Sequence, residues 1–378
     1  MKNVVIAGYA RSPFHFAHKG ELTKVRPDDL AAQVVRGLID RTGVKPEDIE
    51  DVIVGCAFPE GEQGFNVARL IGLLAELPIS VAGATINRFC GSSMQAVHMA
   101  AGAIQLDAGD VFVCAGIESM TRVPLGGYNP MPSPKLMDSY PQAYMSMGIT
   151  AENVARQYQI TREDQQAFAV KSHAKAAAAR EEGRLKDEIV PIKANGHEVS
   201  EDGCIRPGTS QEALAGLKPA FDESGTVTAG TSSPLTDGAA ACLVCTEDYA
   251  MKHGLDVLAR FKSAAVAGCK AEIMGIGPVG ASKKALSRAG LDIGDIDIVE
   301  LNEAFASQAL ASMQDLGMDE GRVNLDGGAL ALGHPLGATG ARITGKVASL
   351  MKRDGAKYGL ATQCIGGGQG IATVLEAV

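Results

Sequence analysis

Two stretches of this chain repeat one pattern, and that limits the folds open to it more than any other feature. Residues Arg41–Phe58 align without a gap with Arg288–Phe305. Both read as helix end, turn, strand and exit loop. Further on, the turn and helix that start at Cys90 fall at nearly the same spacing over the Gly-rich turn and helix that follow His334. The apolar run Val111–Cys114 likewise falls near the strand ending at Cys364. Helix–turn–strand units share composition, so one local match decides little; three in one order argue for duplication. The chain is expected to consist of two similar halves.

Within each half, strand-like runs such as Val4–Ala7, Val52–Cys56, Ala84–Ile86 and Val111–Cys114 alternate with amphipathic segments. That alternation predicts an α/β protein with parallel sheets covered by helices. Pro27, the acidic pair Asp28 and Asp29, and a stop at Gly43 bracket one helix. Val67, Leu70, Ile71 and Leu74 have the spacing of a core-facing stripe on a second. From about Ser119 to Pro234 the alternation breaks. Pro124, Pro130, Pro132, Pro134 and Pro141 mark an irregular loop, and helical patterns follow over Thr150–Gln157 and Arg162–Glu182. So long an insertion in a compact fold covers a ligand or joins subunits. The expected domains are an N-terminal half (1–118 plus about 235–256), a loop domain (about 119–234) and a C-terminal half (about 257–378).

Charge and composition exclude several functions. A net charge of −9, no Trp and no clustered Lys/Arg run lack the electrostatic footprint of a nucleic-acid binder. No stretch approaches the ~20 apolar residues of a membrane helix. The N-terminus enters an apolar strand at once, and the eight cysteines are scattered without disulfide-like spacing. A reducing, cytoplasmic setting is the expectation. No metal site is expected either: Cys242 and Cys245 sit in an apolar strand at an odd spacing that points them to opposite faces. Gly275–Gly280 matches a dinucleotide pattern but lacks a strand directly before it, and Gly340–Lys346 has phosphate-loop spacing but reads as helix.

Three reactive side chains sit where chains turn. Cys90 lies between a short strand and a helix whose inner face carries Met94, Val97, Ala101 and Ile104; free amides and the dipole at such an N-terminus favour a thiolate nucleophile. A packed core cysteine would suit the same turn. His334 is crowded by glycines and followed by Pro335, which allows its ring to press on a ligand or simply to be hydrogen-bonded in the loop. Cys364 opens a run of glycines, including Gly366, whose amides could converge on an oxyanion, or which could merely form a tight turn. Asn302 and Glu303 end the repeated strand, where ligands collect in α/β sheets. Asn302 could orient a water; Glu303 could orient His334 or form a salt bridge.

At these residues the sequence resembles the thiolase family over essentially the whole chain. The motifs Asn87-Arg-Phe-Cys90, Asn302-Glu-Ala-Phe-Ala306, Gly333-His-Pro335 and Cys364-Ile-Gly-Gly-Gly368 occur in family order and spacing. Met145–Asn153 is similar to degradative 3-ketoacyl-CoA thiolases, with Ser146 where acetoacetyl-CoA thiolases usually place a His. The resemblance implies a five-layer αβαβα fold with a loop domain over coenzyme A. It makes Cys90 the acyl-accepting nucleophile, His334 its base and Cys364 the second acid/base. Asn302 would hold a water that forms one oxyanion hole with His334, and the amides of Cys90 and Gly366 would form the other. Phe305 would wall the thioester channel. Arg206 would lie near the adenosine phosphate, Ser233, Ala229 and Gly230 along the pantetheine, and Met147 and Phe221 beside it. Ala213 and Lys218 depart from the family pattern near the nucleotide. The implied reaction is ping-pong exchange between 3-ketoacyl-CoA, CoA and acetyl-CoA, with coenzyme A species as substrates and no tightly bound cofactor or metal. Implied partners are further copies in a dimer or tetramer, or a β-oxidation dehydrogenase/hydratase subunit, with neither nucleic acid nor membrane insertion. The alternatives are an acetoacetyl-CoA thiolase, a ketoacyl synthase, which would pair its Cys with two His, and a catalytically silent acyl-CoA-binding subunit.

Overall fold

The computed structural model describes residues 2–378. The first part of the chain forms β1 (Val4–Arg11), β2 (His15–Phe16), α1 (Pro27–Thr42), β3 (Asp51–Gly55), α2 (Val67–Leu74), β4 (Ala82–Ile86), α3 (Ser92–Gln105) and β5 (Val111–Ser119). The insertion carries α4 (Pro134–Ser139), α5 (Met147–Gln157), α6 (Arg162–Glu181), the hairpin β6 (Ile192–Ala194) and β7 (His197–Val199), and α7 (Gln211–Ala215). The chain then returns through β8 (Thr236–Thr246) and α8 (Glu247–His253). The last part adds β9 (Ala259–Gly268), α9 (Gly277–Ala289), β10 (Ile298–Leu301), α10 (Ala306–Leu316), α11 (Ala329–Leu332), α12 (Leu336–Asp354), β11 (Tyr358–Ile365) and β12 (Gln369–Glu376).

The strands outside the hairpin join in the order β10-β11-β12-β9-β1-β8-β5-β3-β4, with β2 pairing on β8. At the centre of this path β1 and β9 share only the pairs Val5 with Arg260 and Ile6 with Ala259. On either side of that seam the order repeats. β1-β8-β5-β3-β4 is matched by β9-β12-β11-β10 and then Val323, which bridges in parallel to Val299. Each neighbour pair has the same sense as its counterpart, two antiparallel and two parallel. The aligned sequence segments occupy equivalent places: Gly43 and Gly290 end α1 and α9 with φ of 68° and 69°, in the left-handed region open to glycine. The duplication read from the sequence is the topology of the fold.

Strand alternation supplies two apolar faces per sheet, and three clusters fill the gaps between layers. Val52 and Val54 face α1 and α2, whereas Ile53 faces inward. Met94, Val97 and Ile104 of α3 and Ile343, Val347 and Met351 of α12 form the middle layer, packed on both sheets. Beyond the second sheet lie α9 and α10, against Val299, Leu301, Leu360 and Val374. This is a five-layer αβαβα sandwich. Cys242 joins the inner cluster and Cys245 the outer one, so the two thiols do point to opposite faces.

The stripe expected on α2 is rotated. Val67, Ala68, Ile71 and Gly72 are buried, while Leu74 is half exposed. A Cβ at Gly83 would come within 2.6 Å of Arg69 Cα, so the bare Gly83 of β4 lets the backbone of α2 at Ala68 and Arg69 press against the edge strand.

The paired central helices touch through glycine. A Cβ at Gly340 of α12 would overlap the amide nitrogen of Met94 in α3. Overpacking a rigid backbone contact costs about 3 kcal/mol. Gly340→Ala should therefore lower the urea midpoint, and an unchanged midpoint would contradict this packing.

Buried ion pairs lock the insertion onto both halves. Arg11 of β1 meets Glu188 at 2.8 Å and Asp202 at 2.6 Å, and Lys346 of α12 meets Glu188 at 2.8 Å and Asp326 at 2.8 Å. Burial pushes the Glu188 carboxyl up, but Lys346 and Arg11 together hold it down at about 2. Removing one partner of such a pair leaves an uncompensated buried charge.

Candidate active site

Cys90 ends a tight turn ahead of α3. Phe89 before it has φ of 43°, a left-handed conformation costly for a bulky residue. Asn87 Oδ1 accepts from the Phe89 N–H at 2.8 Å, and Ser92 Oγ donates to the Phe89 carbonyl at 2.6 Å, so the turn is held by side chains on both flanks. The thiol is buried, with the backbone amides of Gly366 and of Cys90 itself close enough to favour its charged form. Burial nevertheless pushes the thiol up to about 11, against those two amides. The expected thiolate is thus corrected: desolvation outweighs the helix terminus, and Cys90 rests as a neutral thiol.

Cys364 lies near the end of β11, fully buried. Burial and then the neighbouring Cys90 push its thiol well above the ordinary range, so the two sulfurs sense each other. Gln363 Nε2 donates to the Cys90 carbonyl, fastening β11 to the Cys90 turn.

His334 precedes α12 in a loop whose bonds fix its tautomer. Thr339 Oγ1 donates its only proton to the Pro335 carbonyl at 2.9 Å, so at 2.6 Å it accepts from His334 Nδ1–H. That leaves a lone pair on Nε2, which accepts from Asn302 Nδ2 at 3.3 Å. The backbone N–H of His334 donates to Thr236 Oγ1 at 3.0 Å. Burial, helped by Arg342, drives the imidazole down to about 3, so the ring is neutral. Asn302 is fully buried and its Oδ1 has no partner, an acceptor left open beside the imidazole.

Glu303 does neither thing considered for it. Its carboxylate accepts from Ser172 of α6 at 2.6 Å, Asn324 at 2.7 Å and the Leu330 amide at 3.1 Å. It ties the insertion to the loop leading to His334 through neutral donors.

Several residues expected along a coenzyme A channel lie together beside Cys364. Met147 packs with Phe305, Ala304 and Cys364. Phe221 stands edge-on to Phe305 at 5.9 Å. Ser233 donates its N–H to the Ala304 carbonyl at 2.9 Å, and Ala229 and Gly230 form a short turn capped by Thr228. Arg206 stands apart and exposed, over the Phe16 ring at 5.4 Å, with Lys19 over the same ring at 4.5 Å. Neither cation has an ion-pair partner among the described residues. Sequence reasoning missed Thr339 and Glu118 and gave Asn87 no role beyond its place in the motif ending at Cys90. Glu118, a lone carboxylate near the end of the apolar strand β5, carried a signal; Thr339 carried none.

Residues 4–248 match the family model described as "Thiolase, N-terminal domain", and residues 255–377 match "Thiolase, C-terminal domain". These matches and the duplicated αβαβα fold define an acyltransferase. The chain belongs to the thiolase family. It is 48% identical to the 3-ketoacyl-CoA thiolase of Bacillus subtilis (strain 168) and 50% identical to that of Shewanella frigidimarina (strain NCIMB 400), in both cases over 100% of each chain. The crystal structure of human mitochondrial 3-ketoacyl-CoA thiolase in complex with CoA matches with a TM-score of 0.92 at 36% identity, covering 100% of this chain and 98% of that one. No helix among the described residues is long and apolar enough to cross a membrane.

Proposed function

We propose that the chain is an acyl-CoA:acetyl-CoA C-acyltransferase that cleaves 3-ketoacyl-CoA with CoA into acetyl-CoA and a shortened acyl-CoA. The observation that carries this reading is the burial of two turn-sited thiols, Cys90 and Cys364, on segments fastened together by Gln363, with the His334 imidazole held by Thr339 and Asn302. Backbone amides beside the reacting sulfur are near enough to receive the oxyanion that develops when it attacks a carbonyl.

Cys90 gives its proton to His334 Nε2 and attacks the 3-keto carbon. The bond between C2 and C3 breaks, and Cys364 protonates the departing acetyl-CoA carbanion, leaving the acyl group on Cys90. Cys364 then takes the proton of a second CoA thiol, whose attack releases the shortened acyl-CoA; Cys90 recovers its proton from His334. The open Oδ1 of Asn302 suits a water that completes an oxyanion hole with His334. Residues 119–234 cover the coenzyme A, with Met147, Phe221, Ala229, Gly230 and Ser233 along the pantetheine and Arg206 at the phosphates. Ser146 and the apolar Met147–Phe305 contact favour acyl chains beyond acetoacetyl. The enzyme works in the cytoplasm as a dimer or tetramer. Incubation with CoA and 3-ketoacyl-CoAs of increasing length should yield acetyl-CoA, with kcat/KM higher for the longer chains. No acetyl-CoA from any of them would refute the activity.

A further inference from the structure

We infer that Glu118 is a positioning residue that holds the nucleophile turn of one half and the base turn of the other in a single register. The inference rests on the roles given above to Cys90 and His334.

The Glu118 carboxylate is buried near the end of β5 and gathers donors from both halves. Oε2 accepts from the Ala57 N–H at 2.8 Å and from the Gly337 N–H at 2.9 Å. Oε1 accepts from Gln63 Nε2 at 2.8 Å and from the Phe58 N–H at 3.3 Å. Gln63 in turn takes the Ser119 N–H at 2.7 Å, which fixes the strand end that carries the carboxylate.

One arm runs to the nucleophile. The Ala57 carbonyl accepts from Asn87 Nδ2 at 3.0 Å, and Asn87 Oδ1 accepts from the Phe89 N–H at 2.8 Å, holding that residue at φ of 43° one position before Cys90. The other arm ends on Gly337, in the first turn of α12, which begins two residues after His334. A Cβ at Gly337 would overlap the Ile117 carbonyl, so this turn is pressed onto β5 with no slack. A carboxylate suits the position because four N–H groups and, at 3.7 Å, the Cys56 thiol all donate to it, and an anion accepts from each.

Glu118→Gln keeps the shape but turns one acceptor into an NH2 that faces amides. Asn87→Ala cuts only the nucleophile arm and changes an exposed side chain. Misplacing reacting groups costs rate rather than affinity, so kcat should fall on the order of a hundredfold in Glu118→Gln and about tenfold in Asn87→Ala, with KM within about threefold. Alkylation of Cys90 by iodoacetamide should be no slower than in the natural chain, since the thiol is present but misaligned. If Glu118→Gln fails to fold, Asn87→Ala decides alone. A kcat within twofold of the natural chain in every variant that folds would overturn the inference, as would KM and kcat changing together. Loss of activity in Cys90→Ser alongside normal kcat in these variants would leave the roles of Cys90 and His334 standing and reject only the part given to Glu118.

Discussion

Cys90→Ser should lower turnover by more than about 10³-fold and abolish the covalent acyl adduct. The reason lies in the resting state of the site. Burial holds the Cys90 thiol at about 11 and the His334 imidazole at about 3, so the pair carries almost no thiolate before substrate arrives. The Gly366 and Cys90 amides favour the thiolate but do not overcome its burial, so proton transfer becomes worthwhile only as the oxyanion forms beside them. A thiol is acidic enough for that coupled step; a serine hydroxyl, several units weaker, is not. Intact-mass measurement after incubation with acyl-CoA should show one acyl group on the natural chain, mapped to Cys90, and none on the variant. An adduct on another cysteine, or turnover retained by Cys90→Ser, would remove Cys90 from the mechanism and reopen the reading of the chain as a silent acyl-CoA binder.

The fold was legible because duplication and strand alternation are properties of spacing. Gly43 and Gly290 mark the same helix end in each half, and Val52, Ile53 and Val54 announce two buried faces before any coordinate is known. What spacing does not encode is the balance of desolvation against local dipoles. The turn at Cys90 is legible, yet the protonation state of its thiol is not, because that depends on how completely the folded chain buries it. Leu74 of α2 is half exposed for a related reason: a helix over a sheet edge turns toward it whichever side comes closest, here the backbone at Ala68 and Arg69 against Gly83. Glu118, Asn87 and Thr339 act through partners far away in sequence or through a proton count, and neither leaves a periodic trace.

Removing the base should have the second largest effect: His334→Ala is expected to reduce kcat/KM for the 3-ketoacyl substrate by about 10³-fold, within the span usual for a general base. The geometry predicts how this group titrates. The neutral imidazole takes up a second proton only near pH 3, because burial and then Arg342 disfavour the cation. The base form thus persists as pH falls through the ordinary histidine range, and kcat/KM should stay flat through pH 6.5 and decline only well below it. An acid limb at pH 6.5 that vanishes in His334→Ala would contradict this environment. The tautomer gives a sharper check. Thr339 accepts the Nδ1 proton because its own hydroxyl proton is spent on the Pro335 carbonyl, and this alone leaves Nε2 free toward Asn302. Thr339→Val keeps the volume but leaves Nδ1–H without an acceptor, so the ring loses its reason to keep the proton there. Its kcat should fall on the order of tenfold or more while the protein remains folded. In the natural chain, nitrogen-15 shifts of the His334 ring should report a neutral imidazole protonated on Nδ1 at pH 7. A proton found on Nε2 would mean that His334 cannot accept from Cys90, and the first proton transfer would need another base.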